Sequence, residues 1–212
     1  EQLAVTINIV PKEKRSSERV FLSLGNEKKE MTSFNGSVFV QTFELTMPQE
    51  IIPTVSFEAS TGVKQEVLPE INITEFLSLG YQSDWGTVDS SSEKKKGMFT
   101  LTVFARDQKS SSLLNGKPIA TLVIKDIVTD SVIGRKDMQL VESNPPYNKE
   151  LGAISFRGDL SKYHNMEGSY QVWLELKTKG GIFYREQIAS FENADKSGFS
   201  MSSGGGTLYP VW

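Results

Sequence analysis

The sequence predicts an all-β protein made of two tandem antiparallel β-sandwich modules. Three observations carry that expectation. Apolar side chains recur with period two along most of the chain, helix signals are nearly absent, and 212 residues suit two sandwiches of about 100 residues each. The composition, 38% hydrophobic and 23% charged, lies within the range of folding chains. Twelve Phe, six Tyr and three Trp supply side chains large enough for a core without covalent staples.

The first strand reads from the alternation of Leu3, Val5, Ile7 and Ile9 with Ala4, Thr6, Asn8 and Val10, and Pro11 ends it. Val20, Leu22 and Leu24 repeat the pattern up to the turn Gly25-Asn26. Ser37 to Leu45 is a longer strand with Phe39 and Phe43 on one face and Val38 and Val40 on the other. Phe99, Leu101, Val103 and Ala105 mark another. Only Thr74 to Leu79 is suited to a single helical turn.

Two hairpins can be taken to the level of register. For Val55 to Val67, a three-residue loop Ser60-Thr61-Gly62 pairs Ala59 with Val63 and Val55 with Val67, and sets Glu58 opposite Lys64. A two-residue loop is expected to oppose Phe57 to Glu66, so three residues are preferred. The loop Lys179-Gly180-Gly181 pairs Val172 with Ile188 and Leu176 with Tyr184 on an inner face. The outer face then holds Glu175 opposite Arg185 and Trp173 opposite Gln187. Glu186 falls inward opposite Leu174, which requires a rim position or a bulge.

The polar, Ser-rich stretch from Asp107 through Asn115-Gly116-Lys117-Pro118 is the expected domain boundary. The modules are therefore residues 1–106 and 119–212, joined by a linker at 107–118. Ser90 to Lys96 is a second loop, internal to the first module. Ser202 to Gly206 reads as a flexible tail, followed by Leu208 to Trp212, apolar enough to dock as a last strand.

In the second module, Asp159-Leu160-Ser161-Lys162-Tyr163, then Gly168-Ser169-Tyr170 and the strand through Leu176, resemble the corner into strand F of immunoglobulin-like and fibronectin-type sandwiches. The resemblance spans about twenty residues and implies an immunoglobulin-like architecture, with a Tyr near the strand start bonding back to upstream backbone. The Cys and Trp spacing of true immunoglobulin domains is absent.

Composition excludes several functions. The chain has no cysteine, which removes disulfides, thiolate metal sites, iron–sulfur clusters and a Cys nucleophile together. Its net charge of −3 gives no domain-scale basic excess for a nucleic acid. The runs Lys12 to Arg15 and Lys94-Lys95-Lys96 sit among Glu and Ser and read as solvated loops. No apolar run has the length of a membrane span. The single histidine, His164, lies in a turn, and no Gly-x-Ser-x-Gly elbow accompanies it. Asn193 to Gly198 imitates the first half of a calcium loop, but Ser200 and Gly204 break the pattern, so a turn is the better reading. Neither a metal nor a cofactor is expected.

The residue that stands out is Trp173, on a strand face with Gln171, Glu175, Lys177, Arg185 and Gln187. An indole on a polar face suits a protein interface or a sugar ring. Trp85, read as a loop residue with Tyr81 nearby, is a second such candidate. The expected function is a non-enzymatic binding or spacer module of a bacterial surface or secreted protein, meeting a protein partner or a cell-surface glycan. Such a protein is expected to be extracellular or at the cell surface, with its targeting or anchoring segment expected outside this stretch. Carbohydrate binding through the tryptophans and a small glycosidase with paired carboxylates are the alternatives.

Overall fold

The computed structural model describes residues 3–46, 50–90, 93–106, 110–141, 152–160, 162, 168–194 and 204–211. For residues 85–90, 93–97 and 191–194 the backbone alone is described. Strand dominates, and among the described residues no helix is long and apolar enough to cross a membrane. The chain falls into two compact units, the first reaching to Phe76 and the second comprising Leu77–Val211.

The first unit runs β1 (Leu3–Ile9), β2 (Arg19–Leu24), β3 (Glu27–Glu30), β4 (Thr32–Phe34), β5 (Val38–Leu45), β6 (Glu50–Ile51), β7 (Thr54–Ala59), β8 (Gly62–Val67), β9 (Ile71–Asn72) and one helical turn, α1 (Ile73–Phe76). Strands in the order β1-β5-β4 form one antiparallel sheet, β3-β2-β7-β8 form another, and β6 pairs with β9. Period-two patterning buries Val20, Leu22 and Leu24 on β2, and Phe39, Phe43 and Leu45 on β5. Gly25, at φ 56°, supplies the positive dihedral that the two-residue turn from β2 to β3 needs. Asn72 caps α1, its Oδ1 accepting the Glu75 N–H at 2.9 Å.

The β7–β8 hairpin departs from the expected register. A two-residue turn, Ser60-Thr61, pairs Ala59 with Gly62, Glu58 with Val63 and Phe57 with Lys64. Val63 and Val67 thus leave the core face and are 60% and 68% exposed, and Phe57 faces Lys64 rather than Glu66. The physical reason lies in the position of β8, the outermost strand of its sheet, exposed at all six residues. With no core against it, hydrophobic alternation exerts no hold on the register.

The second unit contains β10 (Leu79–Ser90), β11 (Glu93–Ala105), a 3-10 turn (Ser110–Leu114), β12 (Ile119–Asp126), β13 (Val132–Asp137), β14 (Gln139–Val141), β15 (Ala153–Asp159), β16 (Gly168–Lys177), β17 (Phe183–Ala194), β18 (Gly204–Leu208) and β19 (Pro210–Val211). Two five-stranded antiparallel sheets form, in the orders β14-β15-β11-β10-β18 and β13-β12-β16-β17-β19. A single core joins them: Leu79, Phe99, Leu101, Val103 and Phe156 of one sheet with Leu122, Ile124, Val172, Leu174, Leu176 and Tyr184 of the other. The unit is sandwich-like.

Residues 110–118 of the stretch expected as a linker lie inside this unit. Its Ser110–Leu114 turn delivers Leu114 to the shared core. Phe99 to Phe104 of the strand expected in the first module pair with β15, at sequence separations from 59 down to 49 residues. The expected Ser90–Lys96 loop is largely hairpin, with Asp89 opposite Lys94 and Val88 opposite Lys95.

The β16–β17 hairpin follows the expected register from Lys177 to Trp173. Thr178 and Ile182 close its loop, Thr178 N–H donating to the Ile182 carbonyl at 3.0 Å, and Gly181 takes φ 89°. A bulge between Val172 and Trp173 then sets Val172 opposite Ala189 rather than Ile188. Glu186 opposes Leu174 and is only half-buried. Burial, and secondarily the Glu186 charge, raise the Tyr81 phenol above its ordinary pKa.

The glycine-rich stretch expected to be a flexible tail contributes strand β18, paired with Leu79 to Ser83. A Cβ on Gly206 would stand 3.0 Å from the Tyr81 ring, and one on Gly205 3.0 Å from the Tyr81 carbonyl oxygen. Replacing Gly206 by Val should therefore lower stability by about 1–3 kcal/mol in urea denaturation. Beyond the buried Leu208 the chain changes sheets, and Pro210 and Val211 pair with Tyr184 and Phe183.

Tyr163 of the expected corner lies outside the described residues, while Tyr170 is 1% exposed on β16. Burial pushes the Tyr170 phenol from 10.0 up to about 12. The folded state thus holds this proton more tightly than the unfolded chain. Its contribution is complete below pH 10 and falls by about 1.4 kcal/mol per pH unit as the pH rises toward 12. Urea midpoints at pH 9 and pH 11.5 should show that loss, and Tyr170→Phe should reduce it.

Candidate functional site: the outer face around Trp173

Alternation along β16 turns Val172, Leu174 and Leu176 into the core and leaves Gln171, Trp173 and Glu175 half-buried on the opposite face. Register continues that face across three neighbouring strands. Arg135 of β13, Val123 of β12, Trp173 and Gln187 of β17 form one row. Asp137, Thr121, Glu175 and Arg185 form the next.

The indole is held in place by its neighbours. Its N–H donates to Gln171 Oε1 at 3.1 Å, and the Arg185 guanidinium carbon lies 5.0 Å from the ring centroid. Glu175 sits between two arginines: Arg135 donates to Oε2 at 2.9 Å, and Arg185 Nε lies 3.8 Å from Oε1. Thr121 adds a hydrogen bond to Asp137 at 2.8 Å. Val123, absent from the core cluster, is fully buried between Arg135 and Trp173 in its row. Gln187 and much of Arg135 remain open to solvent.

Of the residues singled out in the sequence, Trp173, Glu175, Arg185 and Gln187 come together here. The other pair does not join them. Tyr81 is 8% exposed and belongs to the core, so it offers no stacking face. Trp85 is a strand residue of β10 opposite Phe99, not a loop residue, and its side chain is outside the described structure. His164 and the calcium-like positions Asp195 to Ser200 also lie outside the described residues. Among the described residues no group of three His, Asp or Glu is placed to hold a metal ion.

Sequence reasoning missed Arg135 and Val123. The only available signal was the apolar run Leu122-Val123-Ile124, in which the middle residue had to face away from its neighbours. Fold and site together define a sandwich-like unit with a fixed Trp–Arg patch on one sheet. No protein-family model, curated protein or solved structure matches the chain.

Proposed function

We propose that the protein is a non-enzymatic binding module of a secreted or surface-exposed bacterial protein, and that the outer face around Trp173 docks a protein partner. The carrying observation is the indole held by Gln171 and Arg185 beside the Arg135–Glu175–Arg185 cluster. Tryptophan and arginine are the residue types that most often dominate protein interfaces, and ordering them beforehand lowers the cost of association. Arg185 over the ring also occupies one of the two faces a sugar would need.

Carbohydrate binding is the second reading, favoured by the partial exposure of Trp173 on a polar face. One experiment separates the two. The purified chain is incubated with whole cells, protease-treated cells, peptidoglycan and insoluble polysaccharides, and the bound fraction is read. Retention on cells that protease abolishes, and that Trp173→Ala and Arg185→Glu both reduce, is the expected result. Retention on a purified glycan would shift the assignment to carbohydrate. Binding untouched by both substitutions would remove this face from consideration.

A further inference from the structure

A second surface, in the first unit, carries an independent inference. A groove of about 620 Å³ is lined by Lys12, Glu13, Lys14, Arg15 and Glu18 of the β1–β2 connection and by Phe57, Ala59 and Thr61 to Lys64 of the β7–β8 hairpin. Four of these residues are cationic and two acidic, a local positive excess in a chain of net charge −3. Glu18 is engaged within its own turn, accepting the Arg15 backbone N–H at 2.8 Å. Lys14 donates to the Arg15 carbonyl at 3.1 Å and lies 5.4 Å from the Phe39 ring centroid. Among the described residues, Lys12, Lys64 and the Arg15 guanidinium have no carboxylate within ion-pair distance.

The groove ends on a strand edge. No described strand pairs with the far side of β8, so every second residue there directs its N–H and C=O outward. Lys64 and Glu66 occupy the face that on β7 carries the buried Phe57 and Val55. Charges at such positions on an edge strand discourage indiscriminate pairing. They also set a condition for an incoming strand, which must bring an acidic side chain to the position opposite Lys64.

We propose that this groove and the free edge of β8 bind an extended acidic segment of a partner protein by strand addition. Backbone hydrogen bonds to β8 supply affinity, and alternate carboxylates meeting Lys64, Arg15 and Lys12 supply selectivity. The exposed Val63, on the face opposite Lys64, borders the intervening apolar positions.

The test is selection of a random short-peptide library on the full chain, followed by anisotropy titration of the recovered peptides. Recovered sequences should carry Asp or Glu at alternate positions and exclude Pro. Arg15→Glu and Lys64→Glu should each weaken binding by about tenfold, and added salt should weaken it further. Lys12→Glu, outside the hairpin, should act in the same direction, and far-UV circular dichroism checks that each variant is folded. Proline at the centre of the peptide should abolish binding, because it removes a backbone donor. Recovery of no peptides, or of peptides without acidic residues, would overturn the proposal. Equal binding of the proline form would overturn strand addition, and retention of alginate without any selected peptide would replace the peptide by an anionic glycan.

Discussion

Replacing Leu174 by Ala should destabilise the second unit by about 2–5 kcal/mol, whereas replacing its neighbour Trp173 by Ala should cost about 1 kcal/mol. Leu174 is 0% exposed, lies between Leu122 and Glu186 in register, and belongs to the shared core. Its truncation leaves a cavity enclosed by packed strands from both sheets, which cannot collapse freely. Trp173, one residue away, points to the other face and hydrogen-bonds through Gln171 close to solvent. Its loss uncovers part of Val123, hence a cost above zero, but water can enter where the ring stood. Urea denaturation followed by far-UV circular dichroism measures both without depending on the indole signal. Equal losses for the two variants would mean that both faces of β16 are core, and the docking face would have to be abandoned.

Tyr184→Ala should cost about 3–5 kcal/mol, the ordinary range for truncating a buried aromatic. Tyr184 is 0% exposed, and its hydroxyl donates to the Leu77 carbonyl at 2.8 Å. That bond ties β17 to the residue with which the second unit begins. Tyr184→Phe keeps the ring and removes only the donor, leaving a buried carbonyl without its partner, at about 1–3 kcal/mol. The difference between the two variants apportions packing and hydrogen bonding. Burial also raises the Tyr184 phenol above its ordinary value, so ionisation favours the unfolded chain at alkaline pH. The Phe variant should accordingly lose less stability than the parent between pH 9 and pH 11.5, in chemical denaturation at both values. A larger loss would show that the phenol is not held neutral by the core.

These expectations differ in how far the amino-acid sequence already carried them. Strand identity was legible at β1, β2, β5, β11 and β16, because each buries one face and its apolar residues alternate accordingly. The same alternation, with Lys179-Gly180-Gly181 as the turn, was enough to bring Trp173, Glu175, Arg185 and Gln187 onto one face. On β8 it failed, since a fully exposed edge strand has no core to make one register better than its neighbour. The tail Gly204-Gly205-Gly206 also misled, because composition registers the freedom of glycine and not the close approach of Tyr81 that calls for it.

By itself the sequence determined the all-β class, the strands with one buried face, the freedom from cysteine chemistry and the Trp173 side of the β16–β17 hairpin. These follow from period, composition and short-range turn geometry, all of which act between residues close in the chain. The tertiary structure alone decided that 98–104 pairs with 153–159 and 79–83 with 204–208, that Tyr81 is buried, and that Arg135 and Val123 complete the patch. Such pairings join residues far apart in sequence, and the free energy that selects them comes from burying side chains of both sheets in one core. Local pattern does not contain that term.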